Sequence, residues 1–213
     1  AYIPQAIAAG AAAVIGEQEI QGLDTYIRVR DSREALAWLS AAWHGYPARR
    51  LVVIGVTGTD GKTTTTNLIR SILQAAGLPA GMISTVNAII GPRIYDTGLH
   101  TTTPNAPDVQ RYLAEMVQAG ITHVVLETTS HGLAQHRVTA CEYDVAVLTN
   151  ITREHLDYHK TFEAYRAAKA RLFEALSAAT RKPGVPKISV LNADDPSFEV
   201  FNRIPADVHL SYG

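Results

Sequence analysis

The chain has 213 residues, of which 46% are hydrophobic and 18% charged, a composition that indicates a globular protein of one or two domains and excludes a disordered one. Its formal net charge of -1 gives no electrostatic reason to expect nucleic acid or a membrane surface as a partner. The single cysteine, Cys141, excludes a disulfide framework within one chain and fits a reducing compartment, so the expected location is the cytoplasm.

The start of the chain predicts part of a small α/β domain. A run of small apolar residues over 6–15 is interrupted by Gly10 and has no basic leader. We therefore interpret it as a buried helix end followed by a strand, and not as a signal peptide or a membrane span. The predicted elements are a helix over 2–10 and short strands over 11–16 and 25–29.

A second helix is predicted next, capped by Asp31 or Ser32 and running to about His44. Ala35, Leu36, Leu39 and Trp43 fall on one face of this helix, and its large apolar side chains are expected to form a core. These side chains are Leu36, Trp38, Leu39 and Trp43. The sequence Gly45-Tyr46-Pro47 then ends the helix and marks a domain boundary.

Strands and helices alternate from residue 48 onward. The predicted strands cover 51–56, 80–84, 122–127, 144–149, 188–191 and 208–210, and a hairpin covers 87–95. The predicted helices cover 62–76, 106–119, 161–178 and 196–201. This alternation predicts an α/β fold, in which a mostly parallel sheet is covered by helices on both faces.

A glycine-rich loop, Gly58-Thr59-Asp60-Gly61-Lys62-Thr63, follows the first of these strands and opens a helix. In such a loop the backbone N–H groups turn inward around phosphate oxygens, and the helix N-terminus adds partial positive charge. Lys62 can reach the β- and γ-phosphates, and the Thr63 hydroxyl can hold Mg²⁺. A tight turn without a ligand is the competing interpretation, which the strand–loop–helix context disfavours. Val56 replaces the first glycine of the strict eight-residue pattern, which argues against a GTPase or a simple kinase.

Three further motifs follow the loop in order along the chain. They read ETTSHGLAQHR over 127–137, TNITREHLDYH over 149–159 and AAK over 167–169. Together with GVTGTDGKTTT over 55–65, these motifs resemble the Mur ligase family, and its MurE type above all. The resemblance covers nearly the whole chain, because residues 2–47 also look like the end of a MurE N-terminal domain. Asp60 is the one loop residue that departs from the family, which usually has asparagine there.

The resemblance implies a domain organisation and an activity. Residues 48–213 would be most of the central ATP-binding domain, and 1–47 the remainder of the N-terminal domain that binds the UDP substrate. The C-terminal domain is expected outside this chain, so we interpret the chain as a piece of a longer protein that is inactive alone. MurE-type enzymes join a diamino acid to UDP-N-acetylmuramoyl-L-Ala-D-Glu through an acyl phosphate made from ATP. The expected ligands are therefore ATP, two Mg²⁺ ions, the UDP-MurNAc-dipeptide and a diamino acid, bound by a monomer without nucleic acid or membrane insertion.

An acyl phosphate forms only when a carboxylate and a γ-phosphate approach each other, and cations must offset their repulsion. Glu127 ends a strand on the sheet edge where α/β proteins place ligands, so it can hold the first Mg²⁺ with Thr63. By sequence alone it could equally be a solvated strand-end carboxylate. By sequence alone, too, His155 would be a structural or solvent-facing histidine, and Lys169 a lysine on a solvated helix face. The resemblance assigns His155 to the second Mg²⁺ and implies that Lys169 is carbamylated, which would give that metal a carboxylate-like oxygen. Lys62, His155 and Lys169 are then the expected catalytic residues.

The resemblance also implies the residues that bind ATP and the UDP-linked substrate. The ATP-binding residues are Gly58, Thr59, Asp60, Gly61, Lys62, Thr63 and Thr64. The substrate-binding residues are Thr102, Thr103, Thr129, Gln135 and Arg137. Threonines before a helix could also be simple caps, whereas an arginine is a natural partner for a carboxylate or a phosphate. Cys141 is expected to be a packing residue and not a nucleophile.

Two alternatives stay open. The first is another amide ligase of the same superfamily, similar to folylpolyglutamate or cyanophycin synthetase, although the run over 130–137 favours the MurE type. The second is a non-catalytic nucleotide-binding paralogue. Asp60 keeps it open, because an extra negative charge beside the phosphates is unfavourable unless Mg²⁺ or a hydrogen bond offsets it.

Overall fold

The first elements of the chain form a small α/β unit. The computed structural model describes residues 2–20, 22–23, 25–97, 103–152, 154 and 156–213, with the side chain of Leu156 left aside. The elements are α1 (Ile3–Ala8), β1 (Val14–Gly16), β2 (Tyr26–Arg28) and α2 (Ser32–Trp43). β1 and β2 pair in parallel. α1 has no buried residue, so the expectation of a buried helix end was wrong. Its six residues lie outside the main sheet, and Ile7 is exposed.

α2 packs through its smallest side chains. It contacts α4 (Ala106–Gln118), and its buried residues are Ala37 and Ala41. Its large apolar side chains were expected in the core, and that expectation was wrong. Leu36, Trp38, Leu39 and Trp43 are 48%, 40%, 49% and 87% exposed. Alanine allows two helices to approach closely, so the fold buries the alanine face and leaves the larger side chains outside.

An eight-stranded sheet organises the rest of the chain, in the order β10-β9-β8-β3-β7-β4-β5-β6. The strands are β3 (Val52–Thr57), β4 (Ala80–Ile83), β5 (Asn87–Ile90), β6 (Arg93–Asp96), β7 (His123–Glu127), β8 (Val145–Leu148), β9 (Ile188–Asn192) and β10 (Val208–Tyr212). The pairs from β10 to β4 are parallel, and the hairpin β5–β6 adds two antiparallel strands. The predicted mostly parallel sheet is confirmed.

Helices cover both faces of this sheet. The predicted long helices are present as α3 (Lys62–Ala75), α4 and α7 (Phe162–Ala178), with the short α8 (Phe198–Asn202) near the end. The sequence did not predict the 3-10 helix Pro47–Arg50 or the short helices α5 (Ser130–Ala134) and α6 (Leu156–His159). Pieces of four or five residues carry too little periodicity to be recognised. Within the described ranges, every helix falls short of the length and apolar character that crossing a membrane requires.

The central strand β3 is packed tightly from both sides. On one face Ile54 and Val56 contact β7, β8 and the apolar side of α3. On the other face, a Cβ added to Gly55 would lie 2.7 Å from side-chain atoms of Leu172 and Tyr143. Glycine at this position therefore lets α7 approach the sheet, and α7 carries Lys169 towards the end of β3.

A buried ionic cluster joins the strands at the amino edge of the sheet. The Asp144 carboxylate is fully buried, and it accepts hydrogen bonds from the Val53 backbone N–H at 2.9 Å and from Lys187 Nζ at 2.9 Å. Lys182 Nζ also donates to this carboxylate, and burial lowers the pKa of Lys182. Two cations on one buried carboxylate make its removal costly, because their partner would be lost inside the protein.

We predict that Asp144→Asn lowers the free energy of unfolding by about 3 kcal/mol, because two buried ammonium groups lose their counter-charge. Urea denaturation followed by circular dichroism measures the change. Asp108→Asn is the matched control, because Asp108 pairs with Arg111 on the surface and 43% of its side chain is exposed. Equal midpoints for the two variants would contradict a structural role for the cluster.

Candidate active site

The phosphate loop lies at the carboxyl end of β3 and leads into α3. Gly61 is the N-cap of α3 with φ of 77°, and Gly58 has φ of 151°. A Cβ on Gly58 would lie 1.8 Å from Thr149 Oγ1. Only glycine fits at residue 58, because the backbone angle and the neighbour both exclude a side chain.

The motif over 149–159 holds the loop from the end of the adjacent strand, β8. The backbone carbonyl of Asn150 accepts a hydrogen bond from the Thr59 backbone N–H at 2.8 Å. The side-chain oxygen of Asn150 accepts another from the Asp60 backbone N–H at 3.0 Å. Thr149 Oγ1 donates to the Asp60 carbonyl at 2.7 Å. The Thr59 hydroxyl lies 3.1 Å from Tyr165 OH on α7. The backbone of Asp60 is thus fixed, while its exposed carboxylate has no hydrogen bond to a described residue.

Two lysines converge on the loop. Lys62 Nζ donates to the Thr59 carbonyl at 2.6 Å, and Lys169 Nζ donates to the Gly58 carbonyl at 2.5 Å. Lys169 is 1% exposed, and its ammonium lies 4.4 Å from the centre of the Tyr165 ring. Burial, reinforced by the charge of Lys62, lowers the pKa of Lys169 to about 7. A substantial fraction of this amine is therefore neutral near pH 7, the form that reacts with electrophiles.

Glu127 lies at the end of β7, beside the loop, and is 4% exposed. Its Oε2 accepts hydrogen bonds from Thr63 Oγ1 at 2.9 Å and from the Thr85 backbone N–H at 3.1 Å. The pair predicted to hold Mg²⁺ is thus in contact, and its oxygens are the hard donors that this ion prefers. Thr64, also predicted to bind ATP, lies in the first turn of α3 with an exposed side chain.

A cavity of about 80 Å³ joins the loop to the motif over 127–137. It is lined by Gly58, Lys62, Thr85, Glu127, Thr129, Ser130, His131, Tyr165 and Lys169. The sequence did not single out Thr85, His131 or Tyr165. Tyr165 stands one helical turn before Lys169, a spacing that could have suggested it. Thr85 follows β4 with no motif around it, so only the sheet order brings it to Glu127.

The described residues of the predicted substrate site form one hydrogen-bonded network. Thr129 Oγ1 lies 2.9 Å from Thr103 Oγ1, and it accepts from the Gly132 backbone N–H at 3.1 Å, which caps α5. Arg137 Nη1 donates to the Thr103 carbonyl at 2.7 Å, and its Nε donates to Gln135 Oε1 at 3.0 Å. Because Thr129 also lines the smaller cavity, the network reaches the phosphate loop.

A second cavity, of about 300 Å³, opens on the other side of this network. Its lining residues are Arg33, Leu36, Asn105, Ala106, Gln135, His136 and Arg137. It lies where the start of α2, the start of α4 and the turn after α5 meet. The two cavities together run from the phosphate loop to α2.

Two predicted residues, Thr102 and His155, lie outside the described part of the chain. Among the residues that are described, no three of the His, Cys, Asp and Glu side chains group as a metal site would require. Glu127 with Thr63 is therefore the part of the predicted magnesium site that the geometry supports. Cys141 is buried, and burial raises its pKa to about 12, as expected for a packing residue.

Comparison with known proteins gives a family match over residues 56–213, to the Mur ligase middle domain. The chain is 46% identical over 210 residues to a UDP-N-acetylmuramyl-tripeptide synthetase of Roseiflexus sp. (strain RS-1), covering 94% of the chain and 41% of that protein. It is 43% identical over 212 residues to a UDP-N-acetylmuramoyl-L-alanyl-D-glutamate--2,6-diaminopimelate ligase of Geobacillus kaustophilus (strain HTA426), covering 100% and 43%. The chain thus spans about two fifths of the length of these curated relatives.

Solved structures agree with this match. A UDP-N-acetylmuramoyl-L-alanyl-D-glutamate--2,6-diaminopimelate ligase superposes with a TM-score of 0.84 at 33% identity, covering 99% of this chain and 42% of that one. A Mycobacterium tuberculosis folylpolyglutamate synthase has a TM-score of 0.62 at 16% identity, covering 84% of this chain and 46% of its own. At that identity the second likeness shows the fold alone.

The lowered pKa of Lys169 leads to a pH-dependent stability. Because its folded pKa of about 7 lies below the ordinary 10.5, the stability it contributes is present above pH 10.5 and lost as the pH falls to about 7. Lys169→Met removes the buried charge. The variant should therefore be more stable than the wild type at low pH. Its gain in the free energy of unfolding should be larger at pH 6 than at pH 10 by an amount on the order of 3 kcal/mol.

Urea midpoints of the wild type and Lys169→Met at pH 6 and pH 10, in metal-free buffer depleted of CO₂, measure this difference. Metal and CO₂ are removed because either could change the state of the amine. A difference between the two proteins that stays the same at both pH values would show that Lys169 does not titrate in this range.

Proposed function

The chain belongs to the Mur ligase family, and we propose that the protein containing it is an ATP-dependent ligase that adds a diamino acid to UDP-N-acetylmuramoyl-L-Ala-D-Glu. One observation carries the proposal most directly. The phosphate loop, the Glu127–Thr63 pair, Lys169 and Thr129 line one cavity, so nucleotide chemistry and the predicted substrate network meet there. The names of the two relatives, at 46% and 43% identity, supply the substrate class.

In the proposed reaction, a carboxylate oxygen of the substrate attacks the γ-phosphorus of ATP, and ADP leaves. The amine of the diamino acid then attacks the acyl carbon, inorganic phosphate leaves, and the nitrogen loses a proton. The first attack brings a carboxylate and the γ-phosphate together in a confined space, so the cationic Lys62 at the mouth of the loop lowers its barrier. The buried walls of the cavity also limit competing hydrolysis of the acyl phosphate.

Mg²⁺ would supply Lewis-acid neutralisation of the phosphates, held by Glu127 and Thr63. Their fit rests on geometry, because the two side-chain oxygens lie 2.9 Å apart beside the phosphate loop. For a second ion, His155 and a carbamylated Lys169 stay part of the proposal. The lowered pKa of Lys169 supports it, since only a neutral amine can bind CO₂. The proposal also places the protein in the cytoplasm as a monomer, because ATP is available there and one chain supplies all the residues named.

Two alternatives compete with this proposal. Another amide ligase of the superfamily would act on a different substrate, and a non-catalytic paralogue would bind nucleotide without turning it over. The run over 130–137 provides Gln135 and Arg137, which join Thr103 and Thr129 in one network. That network favours the MurE-type substrate. Asp60 does not favour the paralogue, because its carboxylate is exposed while its backbone is held in the loop.

The proposed function predicts phosphate release by the full-length protein only when ATP, UDP-N-acetylmuramoyl-L-Ala-D-Glu and a diamino acid are all present. Coupled phosphate detection and mass spectrometry of the product measure it, with meso-diaminopimelate and L-lysine compared as the amine. A folate with glutamate is the control for the superfamily alternative. ATP binding without phosphate release under any of these conditions would favour the paralogue and refute the ligase.

Gly58→Ala should abolish detectable ATP binding, with at least about a hundredfold rise in Kd, because its Cβ collides with Thr149 and the loop must move. Gly77→Ala is the matched control. Its φ is also positive, at 77°, but no atom lies within 4 Å of the added Cβ. Titration with a fluorescent ATP analogue gives both constants. If both variants weakened binding equally, the effect would be a general loss of stability and not a local one.

A further inference from the structure

The larger cavity contains a cationic side chain to which no role has been assigned. Arg33 projects from the first turn of α2 and lines the cavity opposite Gln135 and Arg137. The basic or titratable side chains of the lining are Arg33, His136 and Arg137, and no acidic side chain occurs among the lining residues that the structure describes. A cavity of this composition favours an anionic group.

Two guanidinium groups in this cavity keep free donors. The Arg33 side chain is exposed, and its guanidinium has neither a hydrogen bond nor an ion pair with any residue in the described part of the chain. Arg137 uses Nε and Nη1 on Gln135 and Thr103, which leaves Nη2 without a hydrogen bond to the described residues. Guanidinium forks match the oxygens of carboxylates and phosphates, so the free donors suit a ligand that carries either.

The position of Arg33 is set by contacts on both sides of the start of α2. Asp31 caps the helix by accepting from the backbone N–H of Arg33 at 2.8 Å. Its other carboxylate oxygen lies 3.7 Å from His136 Nε2, on the turn that also carries Arg137. On the opposite side, Ser32 Oγ donates to Glu17 at 2.7 Å. The backbone of Arg33 is therefore held at the edge of the cavity before any ligand binds, so binding has to order only its side chain.

We propose that Arg33 binds an anionic group of the nucleotide-sugar-peptide substrate in the larger cavity. The inference rests on the proposed function, because that substrate carries both a diphosphate and a peptide carboxylate. The link to the reaction centre runs from Arg137 through Thr103 to Thr129, which lines the smaller cavity. Arg33 would then anchor the substrate at a distance from the reacting carboxylate, and it would take no part in phosphoryl transfer.

The test uses Arg33→Ala in the full-length protein, with calorimetric Kd values for UDP-N-acetylmuramoyl-L-Ala-D-Glu and for ATP. A charge-assisted contact predicts about a tenfold rise in the first Kd, with the second unchanged. At saturating substrate kcat should stay the same, because the contact is equal in the ground and transition states. Arg33→Lys should recover part of the affinity, since it keeps the charge but loses the fork.

Arg50→Ala is the matched control, because Arg50 is an exposed arginine in the 3-10 helix before β3 and lines neither cavity. Two probes identify the anionic group. If the diphosphate is bound, Arg33→Ala weakens UDP-N-acetylglucosamine, which has no carboxylate. If the carboxylate is bound, it weakens N-acetylmuramoyl-L-Ala-D-Glu, which has no phosphate.

An unchanged Kd for the complete substrate in Arg33→Ala, within about twofold, would overturn the inference. So would an equal loss in Arg50→Ala, since the effect would then follow net charge and not the cavity. Failure of the proposed function looks different. In that case the wild-type protein neither binds the complete substrate nor releases phosphate with it, and the Arg33 variant has no affinity to lose.

Discussion

The backbone of Gly58 is the point on which the site depends. Its Cα lies so close to Thr149 that no side chain fits, and its carbonyl accepts the hydrogen bond of Lys169. One residue thus joins the end of β3, the end of β8 and the middle of α7. The direction of the phosphate loop, the burial of the lysine and the spacing between the two central motifs all follow from that contact. A residue with a Cβ at this position would push these three elements apart.

The two edges of the sheet treat buried charge in opposite ways. At the amino edge, Asp144 is neutralised by Lys182 and Lys187, and the cluster is closed to ligands. At the carboxyl edge, Lys169 is buried near another cation, Lys62, and its hydrogen bond is to a neutral carbonyl. The first arrangement stabilises the fold. The second leaves the charge of Lys62 available to an anionic ligand, which is the electrostatic condition for phosphoryl transfer between anions.

The phosphate loop and its metal-binding pair could be predicted because each depends on local chemistry. Glu127 follows a buried strand, and parallel strands end at a common edge, so its meeting with Thr63 was predictable before the structure. Thr85 and Tyr165 were not predicted, because each reaches the cavity through packing between elements distant in sequence. His131 lies in the motif over 127–137, but nothing within the motif distinguished it as a cavity residue. The role proposed for Arg33 depends equally on packing, since the contact of α2 with α4 brings it to the cavity.

The sequence by itself determined the alternation of strands and helices, the loop that takes phosphate, and the family. Hydrophobic periodicity and glycine chemistry act over a few residues, so they can be read along the chain. Only the tertiary structure decided which face of α2 is buried, where Trp43 is left exposed while Ala37 and Ala41 are buried. It also decided the burial of Lys169, which by sequence is an ordinary helix lysine. Both outcomes depend on the distance between packed elements, a quantity that no local pattern contains.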